Sequence, residues 1–183
     1  MPEPEHVDRL PTGVADPVLV VEYDPAWPAA YRRESEAIAA ALGELLVGIE
    51  HMGSTAVPGL GAKPIIDIMA GVPSFQEGHR CVEPMQGLGY EYKGEFGIPG
   101  RHYFRKIQRD VRTHQVHMVE AGGEFWQRHL LFRDYLRSHS DEARRYYELK
   151  LRFSKEYRHD REGYTDAKTA FIEAAIAKAR GSA

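Results

Sequence analysis

The chain has 183 residues, one cysteine and a formal net charge of −3, with charged and apolar fractions ordinary for a globular domain. That charge argues against a broad nucleic-acid footprint, and a lone Cys81 excludes an intramolecular disulfide and any multi-cysteine zinc site. No apolar stretch approaches the roughly 18 residues of a membrane span, and Met1–Asp16 lacks the apolar middle of a secretory signal, so a cytoplasmic protein that does not span a membrane is expected.

Length predicts one domain, over 17–181, behind a flexible lead-in over 1–16. Val18–Tyr23 is a β-branched run that reads as an edge strand. Asp24-Pro25 reads as a helix start, with Asp as N-cap and Pro at the first helical position; the helix runs to Leu42 and Gly43 ends it. An apolar run, Leu45 to Ile49, enters a loop of small residues, and Ile65–Val72 reads as a second buried strand. Ser74 caps a helix that stops near Gly87 and Gly89 and that Pro84 shortens or kinks. Tyr90-Glu91-Tyr92 starts a strand. Glu95–Gly100 is a loop. Arg101–Ile107 alternates, with Arg101, Tyr103, Arg105 and Ile107 on one face. A turn over Gln108–Val111 leads into a returning strand, Arg112–Val119, with Gln115, His117 and Val119 on one face and His114, Val116 and Met118 on the other. Gly122-Gly123 ends the sheet region.

The remainder reads as helix: Glu124–Ser138, a second helix opening at Ser140-Asp141-Glu142, a break at Gly163-Tyr164-Thr165, and a closing helix over Asp166–Arg180. Trp126, Phe132, Tyr146 and Tyr147 recur at helical spacing and read as core. The charge run Arg152 to Arg161 reads as a solvated helix face. Mixed strands followed by a helical C-terminal third predict an α+β fold.

Chemistry concentrates between residues 46 and 72. Gly53-Ser54-Thr55 offers backbone amides, two hydroxyls and conformational freedom, which suit an anionic phosphate. The P-loop pattern fails, because Ala62 precedes Lys63 and Pro64 follows it; the dinucleotide fingerprint fails because Pro64 stands where its third glycine belongs. Asp67 lies inside an apolar strand, where a charge needs a partner or a metal. It is the strongest single candidate for function.

Glycine-Ser, a spacer of this size and a strand carboxylate form the signature of the nucleotidyltransferase superfamily. Its usual second Asp, two residues on, is Met69 here, a soft and poor ligand for Mg²⁺. The stretches Glu50–Leu60, Lys63–Asp67, Gly97–Arg101, Arg112–Glu120 and Phe132–Arg137 resemble the GrpB family over about Val18 to Ala179. The resemblance implies a nucleotidyltransferase-like mixed sheet with helices packed on it, and a phosphate ligand such as a nucleotide. Similar domains fused behind dephospho-coenzyme A kinases extend the implication to coenzyme A chemistry. It points to Gly53, Ser54 and Thr55 as the phosphate loop and to Asp67 as catalytic residue and ligand of Mg²⁺ or Mn²⁺. Lys63, Arg101 and Arg105 suit phosphate binding. His117 is a candidate metal ligand where the superfamily has its third carboxylate, His51 a candidate to orient the loop, and Glu95 and Glu120 candidate replacement carboxylates. Three functions are compatible with this: nucleotidyl transfer with a divalent metal, a binding module that has lost catalysis, or a transition-metal hydrolase using His51, Asp67 and His117. The oligomeric state is open.

Overall fold

Every strand of the sheet lies before Ala121, interleaved with helices, and the chain after Gly123 is helical. The computed structural model describes residues 17–181; the lead-in expected over 1–16 lies outside them. In order come α1 (Trp27–Leu42), β1 (Gly48–Met52), β2 (Ile66–Val72), α2 (Phe75–Gly78), α3 (Val82–Gly87), β3 (Tyr90–Tyr92), β4 (His102–Gln108) and β5 (Val111–Glu120). The helices α4 (Glu124–Ser138), α5 (Ser140–Glu156), α6 (Arg161–Ala167) and α7 (Thr169–Gly181) follow. The class is α+β, with the expected helical C-terminal third.

The strands form one mixed sheet in the order β1-β2-β5-β4-β3. β2 and β5 pair in parallel and every other pair is antiparallel. The hairpin from β4 to β5 turns through Arg109 and Asp110, both at positive φ, the left-handed pair that a tight two-residue turn requires.

Alternation sorts the side chains onto two faces. Ile66, Ile68, Ala70, Phe104, Val116 and Met118 pack with Trp27, Ile38 and Leu42 of α1 and with Cys81 and Met85 into the main core. The opposite face carries Met52, Asp67, Met69, Gln115 and His117, which the register sets side by side. At one end α4 covers it: Met52, Met69 and Val119 pack against Phe125, Trp126 and Leu130. A third cluster joins Val57 and Leu60 of the β1–β2 loop to Tyr135, Leu136, Tyr146 and Ala175 of the C-terminal helices. The helices therefore roof this face and tie down the loop that enters it.

Several boundaries differ from the sequence expectation. Val18–Tyr23 is no strand; Val21 makes one isolated bridge with Ala62. Asp24 caps the turn before α1, its Oδ1 accepting from Ala26 N at 2.8 Å, so the helix proper starts at Trp27. Leu45 belongs to a short 3₁₀ turn and the strand after it extends to Met52. Ser74 does cap its helix, accepting from Glu77 N at 3.2 Å. That helix is interrupted over His79–Cys81, one turn before Pro84, whose ring clashes with the carbonyl four residues back. The break expected at Gly163 is absent: Asp160 caps α6 by accepting from Gly163 N at 2.8 Å, and the chain changes direction before and after that helix.

Met69, at the position of the missing second carboxylate, has no solvent exposure. Replacing it with Asp would bury a charge among apolar groups. We expect Met69→Asp to lose on the order of 4 kcal/mol of stability, read as a lower urea midpoint near neutral pH.

Candidate functional site

Glycine is required at position 53 for two reasons. Its φ is +70°, and a Cβ there would stand 2.8 Å from Asp67 Oδ2. The loop backbone thus lies directly against the carboxylate. Gly61 is as constrained: a Cβ would meet the Tyr147 ring at 2.2 Å and the Val21 carbonyl at 2.6 Å.

Gln115, opposite Asp67 on the parallel neighbour, donates Nε2–H to Asp67 Oδ1 at 2.7 Å. The far end of Gln115 accepts from the Tyr103 hydroxyl at 2.5 Å. His117 Nε2 stands 3.6 Å from the same Oδ1. Asp67 keeps 23% of its side-chain surface, although protein surrounds it, because it opens onto a cavity of about 240 Å³. Burial raises its pKa, but His117, Lys63 and Gln115 outweigh burial and hold the carboxyl below its ordinary value. It is therefore ionised near neutral pH.

The cavity brings together Gly53, Ser54, Thr55, Lys63, Asp67 and His117, the last of them through the pairing of β2 with β5. Arg101 and Arg105 do not line it. Arg101, only 5% exposed, precedes β4 and donates to the carbonyls of Glu95 and Phe96 and to His117 Nδ1 at 3.1 Å. Arg105 donates Nε–H to Glu91 at 2.9 Å. His51, one residue out of phase with Asp67, lies on the other sheet face, bonded to Thr55 Oγ1 at 2.9 Å and stacked on Tyr31. It cannot join Asp67 and His117 around one metal. Glu95 is occupied by Gly100 N at 2.6 Å and Glu120 is exposed at the end of β5; neither reaches the cavity. Among the described residues no group of three His, Cys, Asp or Glu side chains is placed to hold a metal ion.

Sequence reading missed the opposite wall. Lys150 of α5 and Lys168, between α6 and α7, face Asp67 across the cavity with Lys63. Each sits four residues after a tyrosine, so one helical turn stacks the ammonium over its ring: Lys150 lies 4.9 Å from the Tyr146 centroid and Lys168 lies 4.2 Å from that of Tyr164, a cation–π arrangement. Lys63 approaches the Tyr164 ring at 5.5 Å, and Lys150 Nζ also donates to the Gly61 carbonyl. The repeated Tyr-x-x-x-Lys spacing was the available signal. Burial and mutual repulsion lower these amines: Lys168 to about 7, by burial and then Lys63, and Lys63 to about 8, by burial and then Arg161. Lys150 is held well below the ordinary lysine value, by burial first and then by Lys168 and Lys63. Arg128 also borders the cavity, paired with Glu173 at 3.1 Å. His129, a cavity imidazole pushed down to about 4, chiefly by burial, donates Nδ1–H to the Phe125 carbonyl at 2.7 Å.

The arrangement is a pocket with one ionised carboxylate at its floor and a cluster of lysines along its wall. The family model described as GrpB protein matches residues 17–178. A UPF0157 protein of Pseudomonas aeruginosa is 42% identical over 97% of this chain and 75% of its own length. The UPF0157 protein YqkA of Bacillus subtilis is 38% identical over 89% of this chain, which spans only 47% of that protein. The crystal structure of the conserved protein GrpB from Enterococcus faecalis superposes with a TM-score of 0.82 at 37% identity, covering 90% of this chain and 98% of that one. No helix among the described residues is long and apolar enough to cross a membrane.

The lysine cluster has a pH signature. Lys168 is protonated in the folded and unfolded states below about pH 7, so its burial cost is then complete. Between that value and the ordinary lysine value of about 10.4, the unfolded chain binds more protons, and stability rises with pH. We expect Lys168→Met to raise the melting temperature most below about pH 7, with the gain shrinking toward about pH 10.

Proposed function

The chain belongs to the GrpB family, and from that premise we propose that its cavity binds a small phosphate-bearing molecule such as a nucleotide. The observation that carries this reading is the convergence of Lys63, Lys150 and Lys168 on one cavity with a single carboxylate. A cavity with more cationic than anionic groups is completed by an anion. Ser54 adds a hydroxyl at the same rim, whereas that of Thr55 is bonded to His51. A ligand carrying two or more negative charges restores protons to the depressed amines as it enters.

Nucleotidyl transfer is the second reading, and the nucleotidyltransferase-like architecture belongs to it. Asp67 supports it: an ionised carboxylate on a central strand, beside a Gly-Ser loop and open to the cavity. The protein's own donors do not build a metal site, since Met69 is sealed under α4. Mg²⁺ or Mn²⁺ enters this reading as a companion of the phosphates, with Asp67 as its one protein ligand, a common role for a single carboxylate. Lysines opposite it bind the phosphates and offset their charge. A coenzyme A-related ligand would use the same lysines. The position of His51 removes the support for a three-ligand transition-metal hydrolase.

Titration calorimetry with adenosine triphosphate, with and without Mg²⁺, separates the two readings. Binding alone predicts metal-independent association that takes up protons near pH 8. It also predicts that Asp67→Asn still binds the nucleotide measurably without metal. Transfer predicts Mg²⁺-dependent binding that Asp67→Asn abolishes. No binding of any nucleoside triphosphate, with either metal, would exclude both for that ligand class.

A further inference from the structure

Arginine is only a hydrogen-bond donor. The contact of its NH1 group with His117 Nδ1 at 3.1 Å therefore requires Nδ1 to accept, which puts the proton of a neutral His117 on Nε2. Arg101 is itself held in place. Its Nε and NH2 groups donate to the carbonyls of Glu95 and Phe96, and its guanidinium lies 4.8 Å from the Tyr103 centroid. The imidazole is clamped as well, with Tyr103 at its edge, 5.5 Å between centroids, and Phe125 against its face at 5.8 Å. Turning the ring to present the other nitrogen would break the Arg101 bond.

His117 Nε2 is 3.6 Å from Asp67 Oδ1, beyond a hydrogen bond, so the N–H is not used up by the carboxylate. Both groups open onto the cavity. They make a donor next to an ionised acceptor. A metal ion would need the Nε2 lone pair, which this tautomer lacks. A phosphate oxygen would accept from Nε2–H but be repelled by Asp67. A hydroxyl satisfies both, donating to the carboxylate and accepting from the imidazole.

We propose that Arg101 is a positioning residue that fixes His117 as an Nε2–H donor, and that the Asp67–His117 pair thereby reads a hydroxyl group of the ligand. The assignment deepens the phosphate-ligand reading and rests on it for the ligand, although the tautomer does not. A phosphorylated sugar alcohol or a ribose phosphate has the required chemistry, with phosphate at the lysines and hydroxyl at the floor.

Nitrogen-15 NMR of the free protein at about pH 8, where an ordinary imidazole is neutral, tests the lock. We expect His117 to show the Nε2–H form alone in the native protein and in Arg101→Lys, and a mixture in Arg101→Met. An Nδ1–H form in the native protein, or an unchanged spectrum in a folded Arg101→Met, overturns it. Should Arg101→Met not fold, the native and Arg101→Lys spectra decide. Added Zn²⁺, a diamagnetic ion, should leave His117 in its Nε2–H form; conversion to a form with unprotonated Nε2 counts against the lock. The hydroxyl assignment is read by comparing adenosine triphosphate with its 2′,3′-dideoxy analogue. Loss of a hydrogen bond to a charged partner predicts about tenfold or more weaker binding of the analogue, and equal affinity overturns the assignment. If neither nucleotide binds, the hydroxyl assignment falls with the nucleotide, and the imidazole spectrum still decides the tautomer.

Discussion

A carboxylate on an interior strand keeps its charge only where hydrogen bonds and opposite charge offset its lost hydration. Asp67 meets this condition through three groups from two parts of the chain. Gln115 and His117 come from β5, and Lys63 comes from the loop before β2. The parallel pairing of β2 with β5 is what sets Gln115 opposite Asp67, and the absence of a side chain at Gly53 lets the loop close against the carboxylate. Much of the architecture on this face of the sheet serves that one charge.

The opposite wall follows a different rule. A lysine ammonium is costly inside a protein, yet Lys150 and Lys168 are each placed over a tyrosine ring by the turn of their own helix or helix end. The rings supply attraction without supplying an anion. That attraction does not offset burial, which holds both amines below the ordinary lysine value, so neither carries a full charge near neutral pH. Arg101 and Arg105, by contrast, are already committed to carbonyls, to His117 and to Glu91.

Much of this was legible in the amino-acid order. The strands from Tyr90 to Glu120 alternate cleanly, and Asp67 stands out because nothing else in Ile65–Val72 is charged. His114 and His117 separate by parity alone. Lys150 and Lys168 were hidden because Tyr146 and its helical neighbours look like an ordinary core stripe, and a lysine in such a stripe passes for a solvated one. Alternation put Arg101 and Arg105 on one face but could not show which acceptors they had already taken. His51 failed as a ligand for one reason, a register offset of a single residue, which reverses the direction of a strand side chain. Gly163 was misread because a cap placed earlier, at Asp160, carries the helix through it.

The bond between Gln115 and Asp67 also has a bearing on how the chain assembles. Its partners are 48 residues apart, with α2, α3, β3 and β4 between them. Closing so long a loop costs entropy before any contact repays it. The β4–β5 hairpin can zip locally, whereas the parallel seam must wait for it. The cavity floor is thus a late product of folding, and a fragment ending before β5 would have every residue of the β1–β2 loop and no pocket.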